Sequence, residues 1–372
     1  MSNFLKALSV FVGTVIGVGI FGLPWVAFKS GFFVLFFYFL IIGALALVVH
    51  LLLADIVLGT KEHHRFPGYA YLYLGKKWGR FSLFNMCFGL LGAQLAYLIV
   101  GGVFLQGLVS PVFGGSTLLY TLIFFLLGSF LIYRGIKGIA VTEFLVLIFL
   151  FFLLLFFSFK AFPKVELSNY LNFNLENLIL PYGVVAFALW GSSILPEVKE
   201  VLSGERKELR RVIYLGISIA TLVYLIFAFL VLGVSGPSTT EDAFSGLSHK
   251  LGSNIVSFGF LFGLITCFSS FLTIGLTLKK VFLYDLYFSE RLSWSLACFL
   301  PLIMYLIGLR KFIEVIGLSG ALAVGLEGFV MVLIYRAYLL KKEKRRMNPL
   351  YFLVSLFFFL GALAEIYYFF FC

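Results

Sequence analysis

Thr266, Ser269 and Ser270 fall at i, i+3 and i+4 in the apolar run GLITCFSSFLT (263–273). A helix there stacks all three hydroxyls on one face. Hydroxyls in such a helix commonly bond back to their own carbonyls, and any that do not must turn to another partner. A second constellation is GTVIGVGIFGLP (13–24), with glycines at 13, 17, 19 and 22 closed by Pro24. Gly13 and Gly17 at i, i+4 suit close helix packing. Gly17-Val18-Gly19 does more, since each glycine weakens a helix by about 1 kcal/mol. Irregular backbone inside an apolar run is tolerated only beside a cavity or protein interior. The amides at Val18, Gly19 and Ile20, where the helix restarts, would then face an anion such as a carboxylate. A second interruption lies in ALWGSSILPEVKE (188–200), where Gly191-Ser192-Ser193 breaks the apolar run and Pro196 follows Trp190 by six residues.

These residues sit in a chain that water could not hold. Of 372 residues, 62% are hydrophobic, 12% are charged and 48 are Phe. A soluble domain carries about 25% charged residues, so a soluble fold, a disordered chain and a secreted disulfide scaffold are excluded. The four scattered cysteines, Cys87, Cys267, Cys298 and Cys372, imply neither disulfides nor a zinc site. The first apolar stretch lacks a signal-type cleavage site and reads as a retained span. A crossing helix needs about 20 apolar residues. That length gives about eleven candidate spans, near 4–28, 31–58, 82–109, 117–134, 138–159, 177–196, 211–234, 254–278, 293–309, 312–338 and 350–371. No soluble domain is left over, so any activity lies among the helices.

The net charge of +11 is a topology signal. With the N-terminus inside, only Lys29, Lys160, Lys164, Lys250, Arg310 and Lys311 fall on the outer side, and every other Lys and Arg falls inside. The positive-inside rule predicts that skew, with the C-terminus outside a cytoplasmic membrane. No nucleic-acid partner is needed to explain the charge. KKEKRR (341–346) reads most simply as a cytoplasmic anchor, with contact to anionic lipid as the secondary reading.

GTVIGVGIFGLPWVAFKSGF resembles the first-span signature of the amino acid–polyamine–organocation superfamily, whose fold is the LeuT type. Along its whole length the chain is similar to the amino acid/auxin permease family and the related aromatic amino acid permeases. The likeness extends through LLLADIVLGT, FPGYAYLYLGKK, GLLGAQLAYLIVGG (89–102) and PEVKEVL (196–202). It implies an all-α polytopic membrane protein with two inverted five-span repeats, about 4–159 and 177–338, and an extra helix at 350–371. The first and sixth spans, broken at corresponding positions, would bind substrate between them. The resemblance implies secondary amino-acid transport by alternating access. It places the substrate amino group at carbonyls of Thr14, Ile16, Phe187 and Trp190, beside Gly191 and Ser192, and Tyr97 at the carboxylate end. It also implies a sodium site from Thr266, Ser269 and Ser270 with carbonyls of Gly13 and Ile16, five neutral oxygens suited to a hard cation. No cofactor is expected beyond a coupling ion, Na⁺ or H⁺.

Some proton-coupled relatives carry a Lys on the fifth span, and none precedes Lys160 here. Acids within spans are costly and suggest function: Asp55, Glu143, Glu327 and Glu365 qualify. Asp55 and Glu143 lie near span ends, within range of Arg134 or Lys137. Glu327, at i+7 and i+10 from Gly320 and Gly317, is the proton-relay candidate. His50 reads as a hydrogen-bonded structural histidine. The rival reading is a membrane-embedded lipid-modifying enzyme, for which Glu62-His63-His64 is the one cluster. A channel lacks a filter-like segment. The breaks hold no acid to pair a cationic side chain, which points to a neutral, large or aromatic amino acid.

Overall fold

The computed structural model describes residues 2–62, 64–135, 139–202 and 205–371, the side chains of 139–146 and 370 excepted. His63, Lys137, Cys372 and the Glu143 side chain lie outside the described set. The described chain is helical throughout. Helix α1 (Asn3–Val15) starts at Ser2, whose hydroxyl accepts from the Leu5 amide at 3.3 Å. It ends where Gly17 and Gly19 remove the side chains that favour helix. Helix α2 (Gly19–Ser30) resumes at 50° to it.

Helix α3 (Phe32–Gly59) returns to the face of the N-terminus, and α4 (Phe66–Leu74) lies along that face. The long α5 (Lys76–Phe113), α6 (Thr117–Arg134) and α7 (Ile139–Ala161) follow. The second broken span comprises α8 (Pro181–Ala188) and α9 (Leu195–Val201). Proline at the start of each needs no amide partner there, so it begins each half without cost. The remaining helices are α10 (Arg206–Ser235), a short α11 (Ser248–Leu251), α12 (Ser253–Lys280), α13 (Glu290–Leu306), α14 (Phe312–Ser319), α15 (Gly325–Tyr338) and α16 (Leu350–Phe371). A π-helical turn, Gly320–Val324, joins α14 to α15.

Among the described residues, eight helices are long and apolar enough to cross a membrane, and nine spans result if the bent α1–α2 pair counts as one. That is fewer than the eleven read from the sequence, for two local reasons. The break divides α8 from α9, and α13 is only 17 residues long. The lipid-suited surface is plain: Phe84, Leu155 and Phe159 are each more than 70% exposed. Such a belt has no place on a soluble surface.

At the N-terminal face, Asp55 is buried between Arg206 at 3.0 Å and Arg210 at 2.8 Å. This corrects the expected partners, Arg134 or Lys137: the chain folds the start of α10 onto the end of α3. Lys199 of α9 donates to the Val57 carbonyl at 2.7 Å, fixing the same corner.

Candidate functional site

Both breaks meet in the interior. A cavity of about 130 Å³ is lined by Thr14, Gly17 and Gly19 from the first break and by Phe187, Ala188, Trp190 and Ser192 from the second. A water needs roughly 10–15 Å³ of such space, so the cavity admits a small organic molecule. From the breaks it runs past Tyr97, Ala93, Gly89 and Asn85 of α5 to Arg65, on the N-terminal face. The other side is packed. Phe21 of α2 lies 4.9 Å from Phe104 and 5.8 Å from Phe244 by ring centroids, and Phe104 lies 5.9 Å from Phe244. The Phe21–Phe104 pair is edge-to-face and the other two are tilted, and offset ring contacts at these distances are favourable.

The first break is a tight turn. Gly17 donates to the Val15 carbonyl at 3.0 Å, and the Val18 amide meets the Tyr97 hydroxyl at 3.4 Å. A Cβ on Gly17 would collide with that hydroxyl. The Ile20 amide donates to the Gly17 carbonyl at 3.3 Å, and Ile20 lines a different, apolar cleft with Leu150 and Phe262. Of the three amides read as anion donors, Ile20 is therefore engaged within its own turn. The Gly17 and Gly19 backbone faces the cavity.

The second break is held from outside itself. Gly191 donates its amide to His50 Nε2 at 3.0 Å, while His50 Nδ1 bonds the Ala46 carbonyl at 2.6 Å. Those partners fix a neutral ring with its proton on Nδ1. The Tyr224 hydroxyl lies 2.6 Å from the Val15 carbonyl and 3.0 Å from the Ala188 carbonyl, so one group serves the last turns of both half-helices. Ser192 donates to the Glu327 carboxyl, and the Trp190 indole N–H turns toward the same group without a full hydrogen bond. His50, Tyr224 and the Ser192–Glu327 link were not assigned to the site from sequence. All three depend on residues far apart in the chain, although the glycine breaks announce carbonyls and amides in need of partners.

Gly13, Ile16, Thr266, Ser269 and Ser270 line one small cavity of about 20 Å³, walled by Leu147 and Leu150. It holds one water-sized particle. Thr266 is 2% exposed and its hydroxyl has no hydrogen-bond partner, so it has not bonded back to its helix. Gly13 adds no bulk, since a Cβ there would meet nothing within 4 Å. Thr14 does bond back, to the Val10 carbonyl at 2.8 Å.

At the N-terminal face, His64 pairs with Glu62 at 2.9 Å. Among the described residues no group of three His, Cys, Asp or Glu could hold a metal.

Two solved structures share this architecture. Mhp1, a nucleobase-cation-symport-1 family transporter in a closed conformation with bromovinylhydantoin bound, matches with TM-score 0.72 and 13% identity, over 98% of this chain and 90% of that one. MhsT in complex with L-phenylalanine matches with TM-score 0.60 and 16% identity, over 99% and 97%. At such identities the likeness establishes the fold alone, the LeuT type with broken first and sixth spans. No curated protein matches the chain in sequence. Residues 1–357 match the tryptophan/tyrosine permease family.

Proposed function

The chain belongs to the tryptophan/tyrosine permease family, and on that basis we propose that it carries a neutral aromatic amino acid across the cytoplasmic membrane by alternating access. It is a transporter and not an enzyme, which removes the lipid-modifying alternative. The observation that carries the proposal is a cavity that reaches the backbone of both breaks. There the substrate carboxylate meets the amide side of Gly19 near Tyr97, and its ammonium meets carbonyls of the half-helix ends, Thr14, Phe187 and Trp190, whereas Ile16, expected beside them, lines the small cavity at Thr266 instead. Phe187, Ala93 and Gly89 supply an apolar wall for a ring. The L-phenylalanine held by MhsT, of the same fold, supports a ring of that size.

With the N-terminus in the cytoplasm, as the charge skew favours, the cavity faces inward at Arg65 and the Phe21–Phe104–Phe244 cluster closes the outside. The finer kinship, to the amino acid/auxin permease family, is proposed on LLLADIVLGT, FPGYAYLYLGKK, GLLGAQLAYLIVGG and PEVKEVL.

Sodium is the coupling ion this geometry supports best. An unbonded buried hydroxyl, two further hydroxyls and two carbonyl-bearing residues surround a space for one small particle, and hard cations prefer oxygen donors. A second reading, coupling to protons, rests on Glu327, a carboxyl buried against the second break. The experiment is uptake of labelled Trp, Tyr and Phe into proteoliposomes under a Na⁺ or a proton gradient imposed separately. Accumulation of an aromatic amino acid under Na⁺ supports both statements. Accumulation under protons alone overturns the sodium site, and no uptake of any aromatic amino acid overturns the substrate.

A further inference from the structure

Glu365, on α16, is a second buried carboxyl that the transport site does not use. It is 5% exposed, and its Oε2 has no hydrogen-bond partner. It lies where α8, α14 and α16 converge. There α8 and α14 touch backbone to backbone: a Cβ on Gly183 would strike the Gly317 carbonyl, and one on Gly320 would strike the Gly183 carbonyl. Glu365 Oε1 sits 3.0 Å from where a Gly317 Cβ would stand, and the carboxyl faces the Gly183 amide. Gly183 is the third residue of α8, so its amide has no carbonyl one turn earlier to bond. Tyr38 from α3 and Tyr182 from α8 are the titratable groups facing the carboxyl. Tyr182 already donates its hydroxyl hydrogen bond to the Phe358 carbonyl at 3.1 Å. Among the described residues no Lys, Arg or His forms an ion pair with Glu365. A charge buried without a counter-ion is costly, and taking up a proton removes it.

We propose that Glu365 is a proton-binding site that latches α8, the first half of the second broken span. Without its proton, the carboxylate holds the Gly183 amide and the positive end of α8. With the proton on, that grip weakens and α8 is free to shift against α14 and α16. The two halves of the second break are thus each gripped by a carboxyl: α8 by Glu365, and the turn into α9 by Glu327 through Ser192. The latch rests on the alternating-access reading, since it needs α8 to move. The proton site does not.

The test uses the full chain in lipid vesicles and infrared difference spectra taken during a pH titration. We expect a C=O stretch of a protonated carboxyl that disappears as pH rises, persists in Glu327→Gln and is missing from Glu365→Gln. If Glu365→Gln does not fold, Glu365→Asp displaces that band instead. A spectrum that neither variant alters overturns the proton site. The latch is read from initial rates of L-phenylalanine uptake against external pH. The wild type should change several-fold where Glu365→Gln stays flat, with Glu365→Asp restoring the dependence. A Glu365→Gln profile identical to wild type overturns the latch. A wild type that moves no aromatic amino acid overturns the transport reading alone and leaves the infrared result standing.

Discussion

Gly191 and His50 are joined at 3.0 Å, amide to imidazole, across 141 residues of chain. The bond gives the second break a fixed shape, because the ring is anchored in turn on the Ala46 carbonyl and packed edge-on against Trp190 at 5.2 Å. Replacing His50 by Ala leaves the Gly191 amide buried without an acceptor, a loss of about 1–3 kcal/mol. His50→Ala is expected to lower the thermal midpoint and weaken L-phenylalanine binding together, with no new pH dependence. Thermal unfolding and equilibrium binding in detergent check this. A His50→Ala protein with wild-type affinity would show that the break holds its shape unaided.

Tyr224 connects both breaks through one hydroxyl. It has a single proton for two carbonyls, those of Val15 and Ala188, so it donates to one at a time or shares between them. Tyr224→Phe removes both contacts while keeping the ring that packs on Phe39. We expect a loss of about 1–3 kcal/mol of stability and a substrate affinity reduced roughly tenfold, equivalent to about 1.4 kcal/mol. Tyr97→Phe, in contrast, removes the hydroxyl that meets the Val18 amide and should weaken binding with little change in thermal stability. Binding and melting measured on the two variants side by side separate a scaffold role from a substrate role.

The broken spans were legible because glycine and proline act locally. Gly17-Val18-Gly19 and Gly191-Ser192-Ser193 weaken a helix wherever they stand, and the structure breaks at both. Thr266, Ser269 and Ser270 were legible as one face because helical spacing alone decides it. The partners were not. Asp55 was expected to pair with Arg134 or Lys137, yet it meets Arg206 and Arg210, which only the packing of α3 on α10 brings within reach. Tyr224 is one of 19 tyrosines, and nothing in its neighbours marks it as the group that serves two carbonyl ends. The turn at Ile20 was not legible either, since its amide folds back on the Gly17 carbonyl.

The small cavity makes a sharp prediction for coupling. Thr266→Val keeps the shape of the side chain but replaces its unbonded hydroxyl by a methyl group. A sodium ion held there, as proposed, would lose one of its oxygens while the surrounding packing survives. Na⁺-stimulated uptake is expected to need at least tenfold more Na⁺, and Ser269→Ala with Ser270→Ala should abolish the stimulation. The measurement is initial uptake rate against external Na⁺ at fixed pH. Thr266→Val with an unchanged Na⁺ dependence would remove this cavity from the coupling mechanism.

Glu327 distinguishes the proton reading from a structural one. It is 8% exposed and accepts from Ser192, so Glu327→Gln retains an acceptor and the shape while losing the capacity to titrate. If protons couple through it, Glu327→Gln should still exchange external for internal substrate but no longer accumulate it against a gradient. If it only braces the break, Glu327→Gln should transport as the wild type does, and Glu327→Ala should lose folded protein. Counterflow and gradient-driven uptake, measured on the same vesicles, give the answer.

A close backbone approach between α8 and α14 yields the last prediction. At Gly183 an added Cβ would lie on the Gly317 carbonyl oxygen, and at Gly320 on the Gly183 carbonyl. Backbone atoms cannot rotate aside as a side chain tip can, so α8 and α14 would have to separate. That separation would undo packing along the buried faces of both helices, where overpacking alone costs about 1–3 kcal/mol. Gly183→Ala and Gly320→Ala should each lower the thermal midpoint and the yield of folded protein. Gly13→Ala, in open space on α1, should leave folding unchanged and reduce only the space beside Thr266. Comparing the three by size-exclusion profile and melting curve tests the packing directly. A Gly183→Ala protein as stable as the wild type would mean that α8 does not rest against α14 at backbone contact.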